Sequence, residues 1–229
     1  RSNLYFTCVS DWLYNKAKHS VCISKYHIET ILNGIDTKQF FYDKKELAIL
    51  KSENKYKKVL FCVPNFQVFG DMIKGCETFL KIVEQCKKLP IQFYVVGDNR
   101  YNFDFSKYDN IIYLGKIIDK NTMRQIYSEC DMTLITSKME TFSLVTAESL
   151  CCGTKVFGFE AGGPESIAIP NYSLFLPKTT QLEDFIDNLV DFLSKEFDKK
   201  EISKVANEKY DFEKIGQQYL NLYYRMLEN

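Results

Sequence analysis

The residues best equipped for chemistry are two carboxylates, Glu140 and Glu148, and the ammonium group of Lys74. Glu140 falls in a loop ahead of an apolar run at helical spacing, Ser143 to Cys152, which Gly153 stops. Glu148 lies inside that run on the face of Leu144, its side chain leaning back toward the N-terminus. Both acids can therefore address one ligand. The first turn adds unpaired main-chain N–H groups at Ser143, Leu144 and Val145, a seat for a phosphate. A bound diphosphate repels a neighbouring acid, yet the acid is useful there when it accepts hydrogen bonds from neutral hydroxyls, as on the ribose in dinucleotide-binding folds. A phosphate seat flanked by two hydroxyl-reading carboxylates describes a nucleotide-sugar site. Lys74 precedes a further helix, running to about Lys87, where a cation opposes the helix dipole. An anion nearby gives that placement a reason; otherwise Lys74 is a plain exposed lysine.

Other chemistries find little support. His19 and His27 are the only histidines, which counts against a histidine-rich metal site or a histidine-based triad. There is no D-x-D, no G-x-G-x-x-G and no G-x-x-x-x-G-K-[ST], so metal-held, dinucleotide and ATP fingerprints are all missing, and no metal is expected.

Alternating short apolar runs and helical patterns must position these groups. Strands are expected at Leu4–Val9, His27–Leu32, Val59–Val63, Ile91–Val96, Ile111–Leu114, Asp131–Thr136, Thr154–Phe159 and Tyr172–Leu176. Helices are expected at Asp11–Lys18, Lys74–Lys87, Thr122–Cys130, Ser143–Cys152, Gln181–Leu193 and Phe212–Leu227. Lys55 to Lys58 reads as a solvated lead-in, Pro64 to Ile73 as a loop, Tyr127 as core packing, and the charge run Lys195–Lys204 as a solvated face. Asp98 reads as a turn cap. The final helix carries an apolar stripe of Ile215, Tyr219, Leu220, Leu222, Tyr223 and Met226. The order strand, helix, strand predicts an α/β fold with a Rossmann-like parallel sheet flanked by helices, with ligands at strand C-terminal ends.

The 229 residues are 45% hydrophobic, ample for a core, and 30 basic against 30 acidic residues leave no net charge. That balance argues against nucleic acid as the main partner. Eight cysteines show no C-x-x-C pair and fall mostly in apolar patterns, as in a reduced, cytoplasmic protein. No apolar run approaches the ~20 residues that span a bilayer.

The segment Glu140-Thr-Phe-Ser-Leu-Val-Thr-Ala-Glu148, followed by Cys152-Gly153-Thr154 and Gly162-Gly163-Pro164-Glu165, resembles the E-x(7)-E region of retaining GT-B glycosyltransferases, above all the "glycosyl transferases group 1" family. Asn33-Gly34-Ile35-Asp36 resembles the family's passage into the donor-binding half, Gly115-Lys116 its turn near the nucleotide base, and Tyr127 to Asp131 its lead into the central strand. The resemblance implies the C-terminal half of a GT-B fold. It divides the chain into 1–32, belonging with the acceptor side, 33–208, binding a UDP- or GDP-sugar with no other cofactor, and 209–229, a helix returning to the other half. It implies ribose hydroxyls on Glu148, donor-sugar hydroxyls on Glu140, diphosphate on Lys74 and the backbone from Thr141 and Phe142 to Val145, and the base near Gly115 and Lys116. It further implies hexose transfer, with retention, to a glycan or lipid-linked acceptor in polysaccharide biosynthesis. An upstream acceptor domain and peripheral membrane association of the full enzyme belong to the same picture, and this chain alone would not transfer sugar. Two departures stand out. Thr141-Phe142-Ser143 replaces the usual Gly-Phe-Gly, and Ser143 lacks glycine's backbone freedom, which counts against close approach of the main chain to the donor. Pro64-Asn65 stands where a phosphate-binding Gly-Arg is usual, so Lys74 or another lysine must compensate. Two other readings remain open, a GT-B sugar-nucleotide epimerase and a noncatalytic nucleotide-sugar-binding module.

Overall fold

The computed structural model describes residues 4–44, 50, 56–68 and 73–228. A two-stranded parallel sheet comes first, β1 (Tyr5–Cys8) and β2 (His27–Thr30), joined by α1 (Asp11–Lys18). Ser10 caps α1, its hydroxyl accepting from Leu13 N at 3.2 Å. The main sheet follows with β3 (Lys57–Asn65), β4 (Ile91–Asp98), β5 (Ile111–Gly115), β6 (Met132–Ile135), β7 (Lys155–Phe159) and β8 (Ser173–Leu176). Its strands are all parallel, in the order β5-β4-β3-β6-β7-β8. This is the doubly wound arrangement, and the winding reverses between β3 and β6.

The strand sequences explain why both faces are covered. Val59, Phe61 and Val63 of β3 and Phe93 and Val95 of β4 enter one core, while Leu60, Tyr94 and Val96 enter the other, as the two-residue period requires. The first core is closed by α2 (Cys76–Gln85) and α6 (Leu182–Ser194), the second by α3 (Lys120–Glu129), α4 (Leu144–Cys151) and α7 (Lys199–Tyr210). The short α5 (Gly163–Ile167) has proline in its first turn as expected.

The run Lys195–Lys204 is not simply a solvated face. It contains the start of α7, whose Ile202 and Ser203 are buried. Lys199 Nζ donates to Ser128 O at 2.8 Å and Cys130 O at 2.6 Å, closing the C-terminal end of α3. Lys155 is buried inside β7 and donates to Phe192 O, Leu193 O and Lys195 O, which caps α6 in the same way. Burial pushes its ammonium down to about 8. Lys58 is likewise held, paired with Glu129; Lys55 and the middle of the loop expected over 64–73 lie outside the described residues.

The final helix, α8 (Phe212–Leu227), packs on the small sheet. Ile215 and Leu222 are buried against Ile31, and Arg225 clamps Glu29 with contacts of 2.8 and 2.9 Å. Leu220 and Tyr223, expected in the same stripe, are about half exposed on the outer side. The chain therefore crosses between the two sheets twice. The crossings pair with each other: Ile35 N donates to Tyr210 O at 2.7 Å and Phe212 N to Ile35 O at 3.1 Å.

Candidate functional site

A cleft of about 560 Å³ opens beside the point where the winding reverses. Its walls come from the ends of β3 (Cys62–Pro64) and β4 (Val96, Gly97), the segment Lys116–Ile118, and Lys120, Met123 and Tyr127 of α3. Leu144, Val145 and Glu148 of α4 and the crossing segment with Ile35, Asp36 and Phe40 complete it. Open α/β sheets present ligands with the same place, outside the carboxyl ends of the strands.

Glu148 is the polar centre of this cleft. The buried Tyr127 hydroxyl donates to its Oε2 at 3.1 Å. Desolvation raises the Glu148 carboxyl to about 7, against the Tyr127 hydrogen bond and the charge of Lys120, both of which favour the carboxylate. The Cys62 thiol beside it is pushed up to about 12, by burial first and by the Glu148 charge second. Tyr127 is therefore more than packing: its ring fills the core while its hydroxyl reaches the carboxylate.

The start of α4 has a form that serine does not favour. Ser143 caps the helix at φ 80°, ψ 85°, in the left-handed region where the family pattern has glycine. Its backbone thus takes a glycine-like course despite the side chain, at a cost of order 1 kcal/mol or more. Its Oγ accepts from Thr146 Oγ1 at 3.0 Å and Thr146 N at 3.4 Å, which holds the turn. The first-turn N–H groups of Leu144 and Val145 lie at the cleft wall, where they can face an anion.

Lys74 and Glu140 meet in an ion pair at 3.0 Å, with side chains 29% and 13% exposed, so little water screens them. Both elements are fixed by the sheet. Thr136 Oγ1, just past β6, donates to the carbonyls of Lys74 and Gly75 at 3.1 and 2.9 Å, and Lys138 N donates to Ile73 O at 2.6 Å. Gly75 caps α2 at φ 72°, and a Cβ there would lie 2.0 Å from Thr136 O, so only glycine fits this junction. On the other side Glu140 N donates to Ala161 O at 2.9 Å and Gly163 N to Glu140 O at 2.7 Å. The Lys74 charge also reaches the Cys62 thiol on the cleft wall.

Of the residues singled out in the sequence, Glu148, Leu144, Val145 and Lys116 line the cleft. Lys74 and Glu140 stand together at the ends of the loops after β3 and β6. Gly115 ends β5 beside Lys116 at φ 77°. Thr141 is exposed and Phe142 buried, and their main chain packs on Gly163, where a Cβ would come within 2.4 Å. Lys120 was not foreseen, and the crossing segment, marked only as the passage into the donor-binding half, was not foreseen as a wall of the cleft. The dipole argument that marked Lys74 applies equally to Lys120, in the first turn of α3.

The family model "Glycosyl transferases group 1" matches residues 57–195, more than half the chain. This chain belongs to that glycosyltransferase family. N-acetyl-alpha-D-glucosaminyl L-malate synthase of Bacillus anthracis is 24% identical over 97% of this chain and 60% of its own length. Among solved structures, sucrose-phosphate synthase of Thermosynechococcus elongatus superposes with a TM-score of 0.78 at 21% identity, over 98% of this chain and 58% of the other. Anabaena Alr3699/HepE, solved with UDP and glucose, gives 0.65 at 18%, over 94% and 61%. These likenesses establish the GT-B type of fold for this glycosyltransferase sheet. The chain spans about 60% of the length of the relatives it matches.

Proposed function

We propose that this chain is the donor half of a retaining hexosyltransferase that takes a UDP-sugar and serves a glycan or lipid-linked acceptor in the cytoplasm. The observation that carries the reading is the cleft, where the Glu148 carboxylate, the free N–H groups at the start of α4 and the lysines at 116 and 120 surround one space. Glu148 accepts from the two ribose hydroxyls, steadied by Tyr127. The diphosphate rests on the first turn of α4 and on Lys74, with Lys116 at the base side. Glu140 reads the hydroxyls of the sugar, its carboxylate aligned by Lys74 at 3.0 Å. When the bond to the sugar breaks, negative charge grows on the diphosphate, and the preset N–H groups and Lys74 stabilise it more in the transition state than in the ground state. UDP is favoured over GDP by the HepE structure, which holds UDP and glucose. The eight cysteines, most of them buried, suit a reducing compartment.

Transfer requires both substrates aligned across a closed cleft, and that alignment supplies a large part of the rate. We assign residues 33–208 to donor binding, residues 1–32 and the α8 segment 209–229 to the acceptor side, and expect no transfer from this chain alone. The test is calorimetry with UDP, GDP and their glucose conjugates, beside a radiolabelled-donor assay of this chain and of a longer chain carrying an upstream domain. UDP binding without transfer by the short chain is the expected result. Absence of binding by any nucleotide would overturn the donor assignment, and equal transfer by both chains would overturn the division into halves.

A further inference from the structure

A second groove, of about 470 Å³, lies between α1 and the loops that follow β6, β7 and β8. It shares no lining residue with the nucleotide cleft. Its size falls within the range of small-ligand pockets, roughly 300–1,000 Å³. Three features of its lining point to one chemistry.

The first is Trp12, the only tryptophan in the sequence, half-buried at the start of α1. Its main-chain N–H donates to Ser166 Oγ at 3.1 Å, and its indole rests on Gly162, where a Cβ would lie 2.4 Å from the ring. Gly162 also holds φ 101°, so the platform beneath the indole is built for glycine alone. The second is charge. Lys16, Lys138 and Lys178 border the groove, and among the described residues none of them forms an ion pair. Lys16 Nζ lies 5.6 Å from the Trp12 ring centroid. Lys178 donates one hydrogen to Lys138 O, which leaves two for a ligand. Of the two acids present, Glu165 already accepts from Ala161 N and Gly162 N, at 2.8 and 2.5 Å. Only Glu160 is left as an exposed carboxylate, against three ammonium groups. The third is position. Ala161 O accepts from Glu140 N, so the groove wall and the loop of Glu140 are one hydrogen-bonded unit.

We propose that this groove is a second saccharide site, which takes a sugar bearing a carboxylate or phosphate. The apolar face of the ring lies against Trp12 and the exposed Met139, Glu160 accepts from its hydroxyls, and the anion sits among Lys16, Lys138 and Lys178. A neutral sugar would leave Glu160 as the one exposed carboxylate facing three ammonium groups, and a bare anion would forgo the indole.

Trp12 makes its own reporter. Glucuronate, glucose 6-phosphate, glucose and inorganic phosphate are titrated separately while tryptophan emission is followed, with ligand-observed NMR as a second readout that does not depend on fluorescence. Saturable binding of the two charged sugars at millimolar concentration is expected, with glucose and inorganic phosphate each weaker by about tenfold. Lys138 is exposed, so Lys138→Ala should keep the fold, checked by circular dichroism, and lower affinity for the charged sugars by about tenfold while UDP binding measured by calorimetry stays unchanged. Equal binding of glucose would overturn the charge assignment, and equal binding of inorganic phosphate the saccharide assignment. No binding in either readout, or unchanged affinity in Lys138→Ala, would overturn the site itself. Because UDP is measured apart, failure here leaves the donor cleft standing, and failure there leaves this groove standing.

Discussion

Glu140 and Glu148 belong to one loop-and-helix segment, yet the fold holds them by different means. Glu140 is anchored by a cation, Lys74 at 3.0 Å, and by main-chain bonds to the loop after β7. Glu148 has a buried phenol for a partner, and burial holds its carboxyl up at about 7. A charge that already has its counter-ion is stable but must share it with an incoming diphosphate. A charge kept in a poorly solvated cleft is costly until hydroxyl donors arrive. On the proposed reading the first acid serves alignment, the second discrimination between an empty and a filled cleft.

The largest effect that tests this contrast should come from Lys74→Ala. It removes the cation proposed to hold the diphosphate and takes from Glu140 the counter-charge at 3.0 Å. We expect UDP affinity to fall by about 2–3 kcal/mol, roughly 30- to 150-fold, in calorimetry. An unchanged affinity would place the diphosphate away from Lys74.

Glu148→Gln should come next, with opposite signs in two measurements. An amide keeps one acceptor oxygen for two ribose hydroxyls, so UDP binding should weaken by about 1–3 kcal/mol. The ligand-free protein, relieved of a desolvated charge, should melt higher at pH 8, by a few degrees for each ~1 kcal/mol. A lower melting temperature at pH 8 would mean that the Tyr127 bond outweighs the desolvation.

Much of this contrast was legible in the chain. The apolar periods locate β3 to β8, α2 and α4, and the carboxylate one turn inside α4 reaches a cleft because a strand-loop-helix unit leaves it nowhere else to point. Four features were not. Tyr127 repeats with Met123 and Ile126, which marks its ring correctly as core; no periodicity records where a hydroxyl at the tip ends. Serine by itself carries no signal for positive φ at 143; only the glycine usual at that place in the family pattern pointed to it. Lys155 and Lys199 read as strand and surface residues because their partners are carbonyls of α6 and α3, far along the chain. The place of Ile35 and Phe40 on the cleft wall is likewise set by the pairing with α8, a tertiary fact.

Glu140→Gln sharpens the comparison by a smaller difference. It keeps the fold and one acceptor for Lys74, so UDP should bind about as in the parent protein, while UDP-glucose loses about 1 kcal/mol through a weakened sugar contact. Equal losses for the two ligands would show that Glu140 and Glu148 do not divide sugar from ribose.

The smallest effect is a pH profile, and its sign follows from burial. The folded protein holds the Glu148 carboxyl near 7, above its unfolded value, because desolvation disfavours the charge more than Tyr127 and Lys120 favour it. Between about pH 4.5 and 7 the folded state therefore binds the extra proton, and the stability of the ligand-free protein falls as pH rises through that window, relative to Glu148→Gln. Donor binding runs the other way. On the proposed reading ribose hydroxyls donate to the carboxylate, and a protonated acid gives up an acceptor, so affinity should rise by a few-fold between pH 6 and 8. UDP-glucose is the proper ligand, because both its phosphates are diesters with no proton to lose in this range, unlike free UDP. The Glu148→Gln protein is the control, since it keeps every other ionisable group. Subtracting that control should isolate the Glu148 step. A difference profile that is flat from pH 6 to 8 would mean that Glu148 is already fully ionised in the empty cleft, and that the contrast between the two acids is one of partners alone.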